Sequence, residues 1–454
     1  MRTALFNWLL ARRHGGVFML RIEDSDRQRN ESTAIEAIEA DLHWLGLDWD
    51  EGPGHGVPDD WQQSARSSVY ADAAEKLITA DAAYPCFCSA ARLAALRERQ
   101  RRAGQPPRYD QCCAGLDPVE SARRRAAGES AVLRLRMPET GTIDFQDLVR
   151  GPQAVAAGDL GDPVIQRADG SAAFLFANAL DDALMGITHV LRGEDHLSNT
   201  PRQQILLQRL GLPVPAYGHL ALVIDAEGAP LSKRRGDAAI DALRDAGYRP
   251  EALVNYLARL GNAVPDDRLQ AAHELAAGFD PGALSRSPAR FDYRQLDHWQ
   301  SAAMARAPMQ TLLPAIEPGR VPAGREADFL ALVQPNLRFA RELNDWAWRL
   351  FAMDDVLAVQ AAEPLRRVDG GFFERVAGVL ETADTGDWQQ LRPTLEAATD
   401  RRGGAMMKPL RLALTGLGQG PALGGIIDLM PAEVRRARLQ RAAGLAASGA
   451  EPDA

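Results

Sequence analysis

The chain has 454 residues with ordinary globular fractions, 46% hydrophobic and 25% charged, which exclude a disordered, collagen-like or coiled-coil protein and predict two to four domains. A net charge of −9 argues against indiscriminate nucleic-acid binding but leaves room for a local basic face. Four cysteines are no disulfide framework, so a reducing cytoplasm is the default, and neither a membrane-length apolar run nor a signal-peptide pattern is present.

Leu5, Trp8, Leu9 and Arg12 follow a helical period. Arg12, Arg13 and His14 fall in the last turn, where the dipole favours cations, and Gly15-Gly16 is the stop. Val17–Ile22 (VFMLRI) reads as a buried strand. Asp24, Ser25 and Asp26 can cap the next helix, whose stripe Ile35, Ile38, Leu42, Leu45 runs to Gly46. Helix, strand, helix is α/β material. A nucleotide-binding α/β unit normally opens on a strand, so either this fold begins with a helix or the front of a βα unit precedes residue 1.

The segments RLRM, TIDFQDLV and DPVIQR ahead of Gly170 are strand-like. Ile187–Leu191 predicts a short strand, with Arg192, Glu194, Asp195 and His196 at its carboxyl end, where open α/β sheets place ligands. Alone, such a cluster equally describes a solvated turn. Thr200-Pro201 starts a helix with proline just inside it. Leu220–Ile224 predicts another strand, then a turn at Asp225–Gly228 and the basic loop Pro230-Leu-Ser-Lys-Arg-Arg-Gly236, whose lysine suits developing polyphosphate charge.

From Ile240 the pattern is helical. Leu253, Tyr256, Leu257 and Leu260 make one apolar face, and a further stripe includes Phe339, Leu343, Trp346 and Leu350. Breaks fall near Pro281, Pro318–Gly324 and Gly370–Gly371. Thr415-Gly-Leu-Gly-Gln-Gly-Pro421 lacks both the G-x-G-x-x-G spacing and the βαβ context of a phosphate loop, so it reads as a helix–helix connection.

In order, GITHVLRGEDH, NTPRQ and LSKRRGD closely resemble the second half of a class I aminoacyl-tRNA synthetase catalytic domain, in particular that of the bacterial glutamyl-tRNA synthetases. RTALFNWLLARRHGGVFMLRIEDSDRQR, WLGLDWDEGP, CFCSAARLAALRERQ, PPRYD, SRSPARFD and MMKPLRLALTG extend the likeness from Arg2 to beyond Arg436. The resemblance implies an α/β Rossmann-type class I catalytic domain split by an α/β insertion and followed by an all-helical C-terminal half. The implied boundaries are 1–85 and 169–236 for the catalytic halves and 86–168 for the acceptor-end insertion. A helical stem-contact domain over 237–305 and a helical anticodon-binding domain over 306–454 follow. Members of the family begin with a strand and an HIGH-type loop ending in Gly-Gly-Ala just before RTALF, and Met1 stands where that alanine would be. The first strand, the HIGH-type motif and a substrate-binding arginine are thus expected upstream, as from a start codon assigned too far downstream.

The implied reaction joins L-glutamate and ATP, with Mg2+, into glutamyl-adenylate and passes the glutamyl group to the terminal ribose of tRNA(Glu). The expected form is a cytoplasmic monomer. Lys233 matches the second lysine of the KMSKS-type loop, with Ser232 and Arg234 in support, and Pro230 stands where a first lysine is expected. Leu231, Glu194, Asp195 and His196 are expected on the ATP side. Arg192 is implied as the bidentate partner of the substrate's side-chain carboxylate, and Glu23 as the partner of its α-ammonium group. Asn178 matches a family position that lines the same pocket, and Phe174 stands where the family usually has tyrosine.

Relatives with zinc in the insertion pair a Cys-x-Cys with a later cysteine. The resemblance then implies Cys86, Cys88 and Cys113 as ligands, Tyr109 as the fourth through its Tyr-x3-Cys spacing, and Cys112 as a substitute. Reduced thiols in a site that has lost its metal are the alternative. The arginines from Arg92 to Arg108 and Arg123–Arg125 give the insertion a basic face suited to acceptor-end phosphates, or simply a solvated one. Two other functions remain: a catalytically inert tRNA-binding remnant, and a tRNA-modifying glutamyl-queuosine synthetase, which ends soon after the catalytic domain.

Overall fold

A computed structural model of the chain describes residues 1–24, 32–55, 61–231, 239–353, 357 and 359–448. Two compact units emerge, Met1–Ala242 with Leu253–Asp292, and Leu243–Ala252 with Tyr293–Ala454.

The first unit opens with α1 (Arg2–Arg13), which buries Leu5, Phe6, Trp8, Leu9 and Leu10 and carries Arg12 and Arg13 in its last turn. Gly15, at φ 61°, turns the chain back, as only glycine does readily. The strand expected over Val17–Ile22 is not regular: only isolated parallel bridges form, Met19 to Glu51 and Ile22 to Gln62, and Val17 is 60% exposed. Gly52, at φ 139°, packs so closely on Leu20 that a Cβ would lie 2.5 Å from the Leu20 carbonyl oxygen.

Helix α2 (Ser32–Trp44) starts well after the expected cap. Asp24 instead accepts from the Ser64 amide at 2.8 Å, the Ser64 hydroxyl at 2.6 Å and Gln62 at 2.6 Å, while Ser25 and Asp26 lie outside the described residues. Along the expected stripe Leu42 and Leu45 are buried, but Ile38 is 40% exposed.

After α3 (Ser67–Thr79) come β1 (Ala83–Cys86), α4 (Ala90–Arg102), α5 (Pro118–Ala126), β2 (Val132–Leu135), β3 (Thr142–Asp147), β4 (Gly151–Ala156), α6 (Ala157–Leu160) and β5 (Val164–Gln166). Then follow α7 (Phe174–Leu184), β6 (His189–Gly193), α8 (Thr200–Leu210) and β7 (Ala216–Leu220). Strand β6 thus sits two residues later than its sequence pattern indicated. The expected strand over Leu220–Ile224 divides into the end of β7 and the short β8 (Val223–Ile224), which pairs in parallel with β9 (Ala289–Arg290).

β1, β2 and β5 form an antiparallel sheet. A second sheet has the order β4-β3-β7-β6, with β6 and β7 parallel and joined through α8 as a βαβ crossover. The β3–β4 hairpin joins β7 in parallel at Asp147–Tyr217, so this sheet runs across the boundary expected at residue 168. Leu135 and Ile165 of the β1-β2-β5 sheet form one core with Leu77 of α3, Phe176 and Leu180 of α7, and Leu206 and Leu207 of α8.

Helices α9 (Ile240–Asp245), α10 (Pro250–Arg259), α11 (Ala272–Ala277) and α12 (Tyr293–Arg306) follow. Leu253, Tyr256, Leu257 and Leu260 are buried together, as their period predicts. The second unit is helical among its described residues, with Phe329, Leu343, Leu350, Phe372, Phe373, Leu410, Ile426 and Leu439 in one core. Gly416–Pro421 links the helices Gly404–Thr415 and Leu423–Leu429, as expected of a connection.

Candidate functional site

The polar groups of the first unit converge at the carboxyl end of β6. The strand is fixed by α1: the Asn7 amide receives the Leu191 N–H at 3.1 Å and donates to the Leu191 carbonyl at 2.8 Å, as a neighbouring strand would. Arg192 follows, 9% exposed, with its guanidinium 4.8 Å from the centre of the Tyr217 ring. It donates from Nε to His219 Nε2 at 3.2 Å and from Nη2 to Thr200 Oγ1 at 2.7 Å. Burial lowers its pKa against the pull of Tyr217, Asp182, Asp147 and Asp195. No carboxylate among the described residues lies within ion-pair distance of it.

Glu23 accepts from Asn178 Nδ2 at 2.7 Å and from Arg21 at 3.3 Å, and Asn178 in turn accepts from Gln203 at 3.0 Å. Arg21 also donates to Asp182 Oδ1 at 2.8 Å. Burial works against the Arg21 charge, yet Asp182 and Glu23 outweigh it and hold the guanidinium above its ordinary value. At Asp182 burial wins and pushes the carboxyl up. Its Oδ2 and the buried Tyr217 hydroxyl have no hydrogen-bond partner among the described residues. Glu23 and Asn178 touch directly, and Arg192 is linked to them electrostatically through Asp182, which also pairs with Arg21. Phe174 is 37% exposed with its ring 5.4 Å from that of His196.

The remaining expected residues divide. Glu194 faces inward: one carboxylate oxygen accepts from Arg150 and the other from the Leu222 amide at 3.0 Å. The Asp195 side chain is 64% exposed. His196 contacts Asn199 at 3.2 Å. Leu231 donates its N–H to the Val223 carbonyl at 2.9 Å and is 36% exposed. Ser232, Lys233 and Arg234 lie outside the described residues.

Sequence reasoning missed Arg21, Asp182, Tyr217 and the pair behind Arg192, His219 and Asp147. The available signal was Asp181-Asp182, two successive acids inside an otherwise apolar helix. Asp181, fully buried, accepts from Tyr70 at 2.7 Å, Arg66 at 2.8 Å and Gln63 at 3.0 Å.

A second cluster lies in the insertion. The sulfur atoms of Cys86, Cys88 and Cys113 all fall within 4.8 Å of one another. The Tyr109 hydroxyl is 3.3 Å from Cys86 Sγ and 3.5 Å from Cys88 Sγ, and it accepts the Cys113 amide at 3.0 Å. Cys112 is exposed and stands outside this group. Burial pushes the Cys88 thiol up to about 12, and neighbouring Cys113 and Cys86 add to that. At Cys86 burial is outweighed by hydrogen bonds from Tyr109 and Arg134, so its thiol lies below the ordinary value. Three soft donors and a phenol at this spacing fit a tetrahedral zinc ion.

On the insertion's basic helices, Arg92, Arg102, Arg123 and Arg124 pair with Asp110, Glu98, Glu120 and Glu129. Arg97, Arg99, Arg101 and Arg125 are exposed, with no acidic partner among the described residues.

Residues 1–298 match the family of class I tRNA synthetases (E and Q), catalytic domain, and residues 303–443 match an anticodon binding domain. The chain is 47% identical over 444 residues to glutamate–tRNA ligase 2 of Nitrosococcus oceani, covering 97% of this chain and 94% of that protein. It is 47% identical over 454 residues to glutamate–tRNA ligase 2 of Alkalilimnicola ehrlichii, covering 99% and 95%. It also superposes on the crystal structure of a glutamate tRNA ligase from Elizabethkingia meningosepticum in complex with its amino acid, at a TM-score of 0.81 and 26% identity, covering 98% of this chain and 95% of that one.

Proposed function

The chain belongs to the class I tRNA synthetase (E and Q) family, and from that premise we propose that it is an ATP-dependent glutamate–tRNA ligase. The α-carboxylate of glutamate attacks the α-phosphorus of ATP, pyrophosphate leaves, and a terminal ribose hydroxyl of tRNA(Glu) then displaces AMP from the acyl carbon. The work of the protein in both steps is positioning and charge stabilisation.

The observation that carries this reading is Arg192: a buried guanidinium with no carboxylate in ion-pair reach among the described residues, linked electrostatically through Asp182 to Arg21, the partner of Glu23. Such a cation takes an acidic side chain as a bidentate pair. Glu23, held by Asn178, takes the α-ammonium group, and Phe174 walls the pocket next to His196. Asp195, His196 and Leu231 line the ATP side, where Mg2+ bound to the nucleotide neutralises phosphate charge. Ser232, Lys233 and Arg234 hold the phosphates. Glu194 serves that side indirectly, by fixing the loop through Arg150 and Leu222. The unpaired arginines of 97–125 take acceptor-end phosphates.

Zinc in the insertion would be held by Cys86, Cys88, Tyr109 and Cys113 and would tie β1 to the loop after α4, a structural rather than a chemical part. The three sulfurs within 4.8 Å support that reading. The domain roles follow the same logic: insertion at the acceptor end, helical segments at the stem and anticodon, the whole acting as a cytoplasmic monomer.

The two other functions are not favoured. A glutamyl-queuosine synthetase ends soon after its catalytic domain, whereas residues 303–443 match an anticodon binding domain. An inert remnant fits poorly with 47% identity to a ligase across 97% of the chain. Incubation of the protein, translated with any codons in frame ahead of Met1, with labelled glutamate, ATP and tRNA(Glu) should yield glutamyl-tRNA. A chain that forms none, and that binds no glutamate by calorimetry, is not this enzyme.

A further inference from the structure

Behind Arg192 stand three buried side chains to which substrate binding gives no part. His219 and Thr200 are fully enclosed, and Asp147 is 1% exposed. Asp147 Oδ2 lies 2.5 Å from His219 Nδ1, while its Oδ1 accepts the amides of Val149 at 2.9 Å, Arg150 at 2.8 Å and His219 at 3.2 Å. A carboxylate so supplied with donors fixes the tautomer of the ring: Nδ1 carries the hydrogen and Nε2 presents a lone pair. That lone pair faces Arg192 Nε–H at 3.2 Å and the Thr200 hydroxyl at 3.0 Å. Thr200 Oγ1 in turn accepts from Arg192 Nη2 at 2.7 Å. One edge of the guanidinium, Nε and Nη2, is thereby fixed by neutral acceptors. The nearest anion of the relay, Asp147, is kept one imidazole away.

Resting on the ligase reading, we propose that His219, oriented by Asp147, is a positioning residue for glutamate recognition: it locks the Arg192 fork in one orientation while leaving its positive charge for the substrate's side-chain carboxylate. A carboxylate in direct contact would orient the arginine equally well but would neutralise the charge the substrate needs. An apolar neighbour would leave the charge but lose the orientation and strand a buried N–H. The imidazole avoids both. β3, an insertion strand by sequence, takes part in amino-acid recognition because its pairing with β7 delivers Asp147 beneath His219.

Two substitutions separate positioning from bulk stability. Asn at 219 keeps a donor near Nδ1 for Asp147 but nothing reaches Arg192. Gln keeps an acceptor near Nε2 and gives up the Asp147 contact. The half-saturating glutamate concentration in aminoacylation, and the glutamate Kd by calorimetry, should rise roughly tenfold or more in His219→Asn and only a few-fold in His219→Gln. The KM values for ATP and tRNA should stay within about twofold. Thr200→Val, which removes the second acceptor, should shift glutamate alone, and Thr200→Ser should restore it. This pair decides the matter if the His219 variants fail to fold. Unchanged glutamate values in folded His219→Asn and Thr200→Val overturn the inference, as does a parallel rise for all three substrates. A wild-type chain that neither binds glutamate nor charges tRNA removes the ligase reading itself, a distinct outcome.

Discussion

At the residue scale the site turns on donors and acceptors rather than on charge count. Arg192 presents a planar fork whose orientation is already fixed, so a lysine of the same charge reaches neither His219 nor Thr200 in the same geometry. Arg192→Lys should therefore lower kcat/KM for glutamate about 30-fold, roughly 2 kcal/mol, in steady-state aminoacylation with the fold intact by circular dichroism. Asp147 has a different readout. Burial pushes its carboxyl up, but the His219 ring and the amides of Arg150, Val149 and His219 outweigh that and hold it below the ordinary carboxylate value. Between the folded and unfolded values the unfolded chain binds the extra proton, so stability from this group is complete above about pH 4 and drains away as pH falls through the folded value. The stability gap between wild type and Asp147→Asn, measured by urea unfolding from pH 7 to 3, should be widest near neutrality and narrow below pH 4. These partners were largely illegible in the sequence. Arg192 and Glu23 stand in motifs and Asn178 matches a family position, whereas His219 and Asp147 are separated by 72 positions and meet only through β3–β7 pairing.

At the scale of elements, what could be read was what periodicity carries. The α10 face and the stripe through Leu343, Trp346 and Leu350 are buried because the 3.6-residue period puts them on one side. The segment Val17–Ile22 misled because an apolar run does not reveal whether one partner stays alongside, and its two bridges go to separate stretches, at Glu51 and at Gln62. Arginine was harder still, since a helical arginine is usually at the surface. Arg438 is 4% exposed and donates to the carbonyls of Arg349, Leu414 and Ala352, where the helices Glu342–Phe351 and Gly404–Thr415 end. One guanidinium thus satisfies carbonyls that two helix ends leave without intrahelical partners. Arg438→Met keeps the stem and removes the donors, so it should cost about 3 kcal/mol, read as a fall in the midpoint of thermal unfolding.

At the scale of the whole chain, the family could be read because its motifs are ordered along the sequence, while the division into units could not. Residues 243–252 group with the C-terminal helices and 253–292 return to the first unit, so the boundary is crossed more than once and no compositional break marks it. Each unit has a hydrophobic core of its own, one around Leu135, Phe176 and Leu206, the other around Phe329, Phe373 and Leu410. Separate cores melt as separate cooperative blocks, so calorimetry should record two transitions. The thiol cluster belongs to the first unit and Arg438 to the second, which allows the transitions to be assigned. Chelation, or Cys113→Ser, should lower one transition and abolish about one equivalent of zinc by elemental analysis, whereas Cys112→Ser, altering an exposed thiol outside the cluster, should leave both unchanged. Arg438→Met should lower only the other transition. A single transition moved by both substitutions would mean that the two cores unfold as one, and zinc retained by Cys113→Ser but lost from Cys112→Ser would transfer the ligand role to the exposed thiol.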